Sequence, residues 1–251
     1  MLPALARIMP LALATPLLAA CGVVAGVLSA SGGPCTTSAQ YGTCSYPPYT
    51  VNQDMWRPAA GSKSTLTAKS AAQWKVSTYQ PPGVAVRSYP NVTENLGQPI
   101  SAYTTIEATF AETMPTGGRE EAAFDIWVNG APGTSNTAHM IEVMVWTDTH
   151  RTRPAGTLTA RATIGGQTFN VYECPTSACV GHPYYAFRLT QNEAAGQVDL
   201  LSALKWLTAN GLVPASDPVT QVQDGWEIGN TGGITETFAM TNYALSVTAG
   251  G

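Results

Sequence analysis

An all-β domain, an antiparallel sandwich or jelly roll carrying one packed helix, is the fold that the sequence predicts. Three observations point there. From Tyr49 to Ile164 the chain is a series of short runs rich in Val, Thr, Ile, Tyr and Trp. These runs are broken by turn residues at Pro81-Pro82-Gly83, Tyr89-Pro90-Asn91, Pro115 to Gly118 and Asn129 to Gly133, the spacing of strands in two stacked antiparallel sheets. One stretch, about 193–209, changes period: Val198, Leu201, Leu204 and Leu207 fall near helical spacing, with Asn210-Gly211 as the stop. After Pro214 strands resume through Trp226 to Ile228 and Phe238 to Val247. With no interior linker and no repeat of about 20 to 50 residues, the 251 residues read as one large β domain.

Only 11% of the residues are charged and the net charge is −4, which argues against a disordered polyelectrolyte and against a nucleic-acid binder. Residues 1–20 carry one cation, Arg7, before an apolar stretch from Ile8 to Ala20 broken by Pro10 and Pro16. That pattern predicts a signal peptide rather than a membrane span. It ends Leu18-Ala19-Ala20-Cys21-Gly22, like a bacterial lipobox, so Cys21 is expected to become a lipidated first residue; plain cleavage nearby is the alternative. Residues 21–34, small and uncharged after Cys21, suit a tether, with the domain spanning 35–251. The expected location is therefore outside the cell, in the medium or on the outer face of the membrane.

With Cys21 set apart, Cys35, Cys44, Cys174 and Cys179 form an even set suited to disulfides in an oxidising compartment. Pairing Cys35 with Cys44 and Cys174 with Cys179 closes two short loops and is one of three connectivities. A zinc site is the rival reading, but the spacing of eight residues in the first pair suits it poorly.

Two glutamates stand in apolar strand patterns. In His139 to Trp146, Ile141, Val143 and Val145 take one face while Glu142, Met144 and Trp146 take the other. In Asp224 to Gly229, Glu227 alternates with Gly225 and Gly229, opposite Trp226 and Ile228, and the flanking glycines are expected to leave room for a ligand. The bland alternative is a wet strand face with each Glu paired to Lys or Arg. The scarcity of charge and the aromatic surroundings count against it.

The order Trp56, Val86 to Asn91, Ala123-Phe124-Asp125-Ile126-Trp127-Val128, Ile141 to Trp146 and Gly225 to Gly229 resembles glycoside hydrolase family 12, the β-jelly-roll endoglucanases and xyloglucan hydrolases, over about residues 41–248. The resemblance implies a jelly roll of two antiparallel sheets and endo-hydrolysis of β-1,4-glucans with retention. It also implies Glu142 as nucleophile, Glu227 as acid/base, Asp125 hydrogen-bonded to Glu142, Met144 and Trp146 lining the cleft, and Trp56 as a stacking platform. Asp125 as an exposed strand-end carboxylate, Met144 as core, and Trp74, Trp127 and Trp206 as core are the plainer readings.

Retention needs a carboxylate that attacks the anomeric carbon and an acid that protonates the leaving oxygen. Two residues of one type must then differ through their surroundings. His139, His150 and His182 show no metal-ligand spacing, no serine-hydrolase elbow and no phosphate loop occur, and no cofactor is expected. The expected partner is a β-glucan, the expected state a monomer, and the rival reading a non-catalytic carbohydrate-binding jelly roll on a lipoprotein.

Overall fold

The computed structural model describes residues 33–133 and 139–250. In chain order the strands are β1 (Cys35–Thr37), β2 (Thr43–Tyr46), β3 (Tyr49–Asn52), β4 (Lys63–Ser70), β5 (Gln73–Tyr79), β6 (Asn91–Asn95), β7 (Tyr103–Thr113), β8 (Arg119–Val128), β9 (Ile141–His150), β10 (Thr157–Ile164), β11 (Gln167–Cys174), β12 (Tyr184–Leu189), β13 (Ala195–Asp199), β14 (Val219–Asn230) and β15 (Glu236–Ala249), with one α-helix, α1 (Leu200–Ala209), between β13 and β14. They build a six-stranded sheet, ordered β1-β4-β5-β15-β7-β13, and a nine-stranded sheet, ordered β10-β11-β12-β9-β8-β14-β6-β3-β2. The all-β jelly roll with a single helix is as expected.

Two details differ from the expectation. β12 lies parallel to β9, with Tyr184 opposite Glu142; a parallel neighbour needs a long return, which the β10–β11 hairpin supplies. The helix begins at Leu200 rather than near 193, because residues 195–199 pair with β7 as an edge strand. Asp199 starts the helix by accepting a hydrogen bond from the Ser202 amide at 2.8 Å. Gly211, at φ +69°, lets the chain turn away after it.

The core lies between the sheets, where alternate residues meet. Ile141, Val143 and Val145 of β9 and Trp226 and Ile228 of β14 all face it, as their parity requires. Trp74 meets Trp226 at 4.8 Å between ring centres, and Phe110 packs edge-on against Phe124 at 5.7 Å. The helix adds Leu200, Leu201, Leu204 and Leu207 to this core. Trp206 rests edge-on against Phe187 at its margin.

Cys35 is bonded to Cys44 and Cys174 to Cys179. The first bridge ties β1 of the smaller sheet to β2 of the larger; the second closes the loop that follows β11. Among the described residues no cluster of His, Cys, Asp and Glu could hold a metal ion, and no helix is long and apolar enough to cross a membrane. Cys21, the signal segment 1–20 and nearly all of the 21–34 tether lie outside the described residues.

Candidate active site

The face of the nine-stranded sheet that turns away from the core is built by three neighbouring strands, β9, β8 and β14. Strand alternation puts Glu121, Ala123, Asp125 and Trp127 of β8 on it, with Glu142, Met144 and Trp146 of β9 and Gln223 and Glu227 of β14. Glu142 pairs across to Trp127, while Glu227 pairs across to Glu121. Asp125 stands between those levels, opposite Met144 on one side and Gln223 on the other. The three predicted catalytic carboxyls thus come from three adjacent strands and share one face.

Their environments separate them. Burial raises the Glu227 pKa, the charges of Glu142 and Asp54 raise it further, and a hydrogen bond from Glu121 opposes the rise. Asp125 is raised well above the usual carboxylate range, by burial first and then by Glu142 and Glu227. Glu121 is raised likewise, by burial and by Glu227. Burial and the neighbouring carboxylates thus push both Glu121 and Asp125 toward their neutral forms. Glu142 and Glu227 also both act on the buried phenol of Tyr184, so the two carboxylates project into one common field.

Glu142 has a partner that the sequence reading missed. His182 Nε2 lies 2.6 Å from Glu142 Oε2. A carboxylate acting as a nucleophile only accepts, and in that form its donor is the imidazole. The His182 ring also stands edge-on to Trp127 at 5.3 Å, and the Glu142 amide donates to Pro183 O at 3.0 Å. Trp127, one of the tryptophans offered as core, therefore faces the site, and its Nε1 donates to Gln223 Oε1 at 3.3 Å.

The expected hydrogen bond from Asp125 to Glu142 is not among the contacts the structure gives; His182 occupies that role. Asp125 is buried in mid-strand, not exposed at a strand end, and its Oδ1 has no partner. Met144 and Trp146 lie on the same face as Glu142. Both are nearly fully buried and pack with Ala123, Tyr184 and Ala186 as a floor beneath the face. The Trp146 Nε1 donates to Met144 Sδ at 3.4 Å. Trp56 is the residue left open, 45% exposed. Its chain segment is tied to the site because the Tyr89 amide donates to Asp54 O at 2.9 Å and the Asp54 carboxyl acts on Glu227.

The glycines beside Glu227 serve a different end from the one expected. A Cβ at Gly225 would sit 2.0 Å from Pro90 O, and one at Gly229 3.2 Å from Arg119 O. They admit neighbouring backbone rather than ligand. The same close approach lets the Trp226 amide donate to Pro90 O at 3.2 Å. Tyr89 completes the bracket by donating its hydroxyl to Ala123 O at 2.9 Å. This explains the Ser88 to Asn91 motif as the clamp that sets β14 against β6.

The model of glycosyl hydrolase family 12 matches residues 47–248. The chain belongs to glycosyl hydrolase family 12. Endoglucanase A of Aspergillus kawachii (strain NBRC 4308) is 27% identical over 225 residues, covering 84% of this chain and 92% of that protein. Among solved structures, the xyloglucanase domain of NopAA, a type three effector from Sinorhizobium fredii in complex with cellobiose, superposes with a TM-score of 0.75 at 28% identity over 85% of this chain and 99% of that one. Trichoderma harzianum Endoglucanase 3 shares the fold, with a TM-score of 0.76 at 21% identity over 88% and 100% of the two chains. In this family 12 hydrolase Glu142 of β9 and Glu227 of β14 share one face with Glu121 and Asp125 of β8 between them.

Proposed function

We propose that this family 12 enzyme is a retaining endo-β-1,4-glucanase in which Glu142 is the nucleophile and Glu227 the acid/base. The observation that carries the assignment is the contrast between the two. Glu142 receives a hydrogen bond from His182, which suits a carboxylate, whereas Glu227 is pushed toward its protonated form by burial, which suits an acid. Glu227 gives its proton to the leaving glycosidic oxygen as Glu142 bonds to the anomeric carbon. The glycosyl-enzyme carries no negative charge at Glu142, so the field that raises Glu227 weakens and it can take a proton from the incoming water. Asp125 stands beside Glu142 and is coupled to it through charge rather than a hydrogen bond, and Trp56 offers a stacking surface for a glucosyl ring. Met144 and Trp146 support the glycan-binding face from below.

Azide tests both roles at once. With an activated aryl cellobioside, Glu142→Ala plus azide is expected to give the α-glycosyl azide and Glu227→Ala plus azide the β-glycosyl azide. Full hydrolysis by either variant without azide would refute its assignment. Release of reducing sugar from carboxymethylcellulose, barley β-glucan and xyloglucan separates the enzyme from a carbohydrate-binding jelly roll, since inactivity on all three would favour the latter.

The N-terminal pattern supports export and attachment to the membrane through a lipid on Cys21, with the domain acting as a monomer. Cys21→Ser is expected to move the protein from the membrane fraction to the soluble one, and intact mass of the mature chain reads the lipid directly.

A further inference from the structure

Beyond Glu121 and Glu227 the same face of β8 continues to Arg119, one pleat further along the strand. There a groove of about 580 Å³ opens, lined by Val84, Arg119, Arg151, Arg153 and Pro154 among others. Ala155, also in its wall, packs on the floor cluster of Met144 and Trp146, so the groove borders the catalytic face. Three of the chain's 12 cations converge there in a protein of net charge −4. Among the described residues the ion pairs within 4.0 Å are His150 with Asp148 and His182 with Glu142, so none of the three arginines is neutralised by a carboxylate.

Arg151 is held in place rather than left trailing. Arg151 adopts φ +57°, a left-handed backbone that a long side chain rarely takes and that marks a constrained position. One of its donors anchors it, Nη1 to Gly117 O at 2.9 Å, leaving the rest of the fork for a ligand. Arg119 Nε is buried with no partner. Glu120 is raised by burial to about 7 despite the pull of Arg151, so it does little to cancel the positive field in acid, and Glu121, on which Arg119 acts, is raised well above the usual range. No aromatic ring lines the groove, which suits it to charge rather than to sugar stacking.

We infer that this groove is a subsite for an anionic substituent, a carboxylate or sulfate carried on a branch of the glucan held at the catalytic face. A guanidinium fork matches either group with paired N–H donors. The inference rests on the glucanase reading for its substrate.

The test compares neutral xyloglucan with the same polymer carrying uronic-acid groups on its branches and with a sulfated preparation, using the wild type and Arg151→Gln/Arg153→Gln. The wild type is expected to favour an acidic polymer in kcat/KM, and the variant to lose roughly tenfold of that preference, two exposed charge contacts being worth about one decade. The neutral polymer should be cut at equal rates by both proteins. The carboxylated and sulfated arms identify the anion, and about 1 M NaCl should erase the preference. An unchanged preference in the variant, or an equal loss on the neutral polymer, would overturn the inference. Should the wild type cut none of these polymers, the glucanase reading itself fails. Gel retardation by the carboxylated and sulfated polymers then decides the groove separately: binding that the variant loses supports it, and equal retardation of both proteins overturns it.

Discussion

At the residue scale, the contact between His182 and Glu142 is the feature that sets this site apart from what its sequence motifs announce. The proposed nucleophile, fixed at 2.6 Å by an imidazole that is itself braced on Trp127, is held in one rotamer before substrate arrives, which lowers the ordering left for the transition state. His182→Ala is expected to lower kcat roughly 10- to 100-fold, the usual scale for losing an orienting partner, with KM on aryl cellobiosides little changed. A rise in KM at constant kcat would place His182 in substrate binding instead. Glu121 governs the other carboxyl. Its hydrogen bond opposes the rise of Glu227, so Glu121→Ala should let Glu227 hold its proton to higher pH. The alkaline limb of kcat/KM should then move upward, whereas Glu121→Gln, which keeps a donor, should leave it nearly in place.

At the element scale, the site depends on how closely β14 can approach the chain before β6. Gly225→Ala would press a methyl against Pro90 O, 2.0 Å away, and backbone on both sides leaves no flexible atom to yield. A loss on the order of 3 kcal/mol or more, of the kind produced by overpacking, is expected in urea unfolding. Loss of activity out of proportion to the remaining folded fraction would report displacement of Glu227. The strands themselves were legible because parity is a local property: Glu142 against Val143, and Glu227 against Trp226, are separated by alternation alone. Glu121 could have been found by the same rule, since 121, 123, 125 and 127 share a face, but Arg119 and Glu120 beside it resemble a solvated turn. His182 carried no comparable signal. It reaches Glu142 through a disulfide-closed loop and a parallel strand pairing, and both depend on chain far away in sequence. The groove arginines are likewise gathered from the start of β8 and from the chain after β9.

At the scale of the whole molecule, a charge-poor sandwich with several acids sealed inside should respond to pH in an uncommon direction. Between the sheets Asp224 has neither carboxyl oxygen partnered, and Glu112 has Oε2 free, with Oε1 accepting from Thr147 at 3.4 Å. Burial raises both well above the usual range, and Glu112 is raised further by Asp224. Burial also takes Asp54 to about 6 and Glu120 to about 7. In the unfolded chain these groups return to about 4. Above that value the folded state binds more protons than the unfolded one, so stability falls as pH rises. Each carboxyl still protonated only in the fold contributes a loss of about 1.4 kcal/mol per pH unit, or about 3–6 °C in Tm for a domain of this size. Little offsets this: among the described residues no Lys or Arg lies within 4.0 Å of a carboxylate, and the pulls of Arg151 on Glu120 and of Arg119 on Glu121 are outweighed by burial. Tm is therefore expected to be highest near pH 4 to 5 and to decline through pH 8, and Glu112→Gln or Asp224→Asn should flatten the decline by removing one titrating group from the core. A Tm that stayed level or rose over that range would mean that these carboxyls ionise without cost, with water reaching them between the sheets.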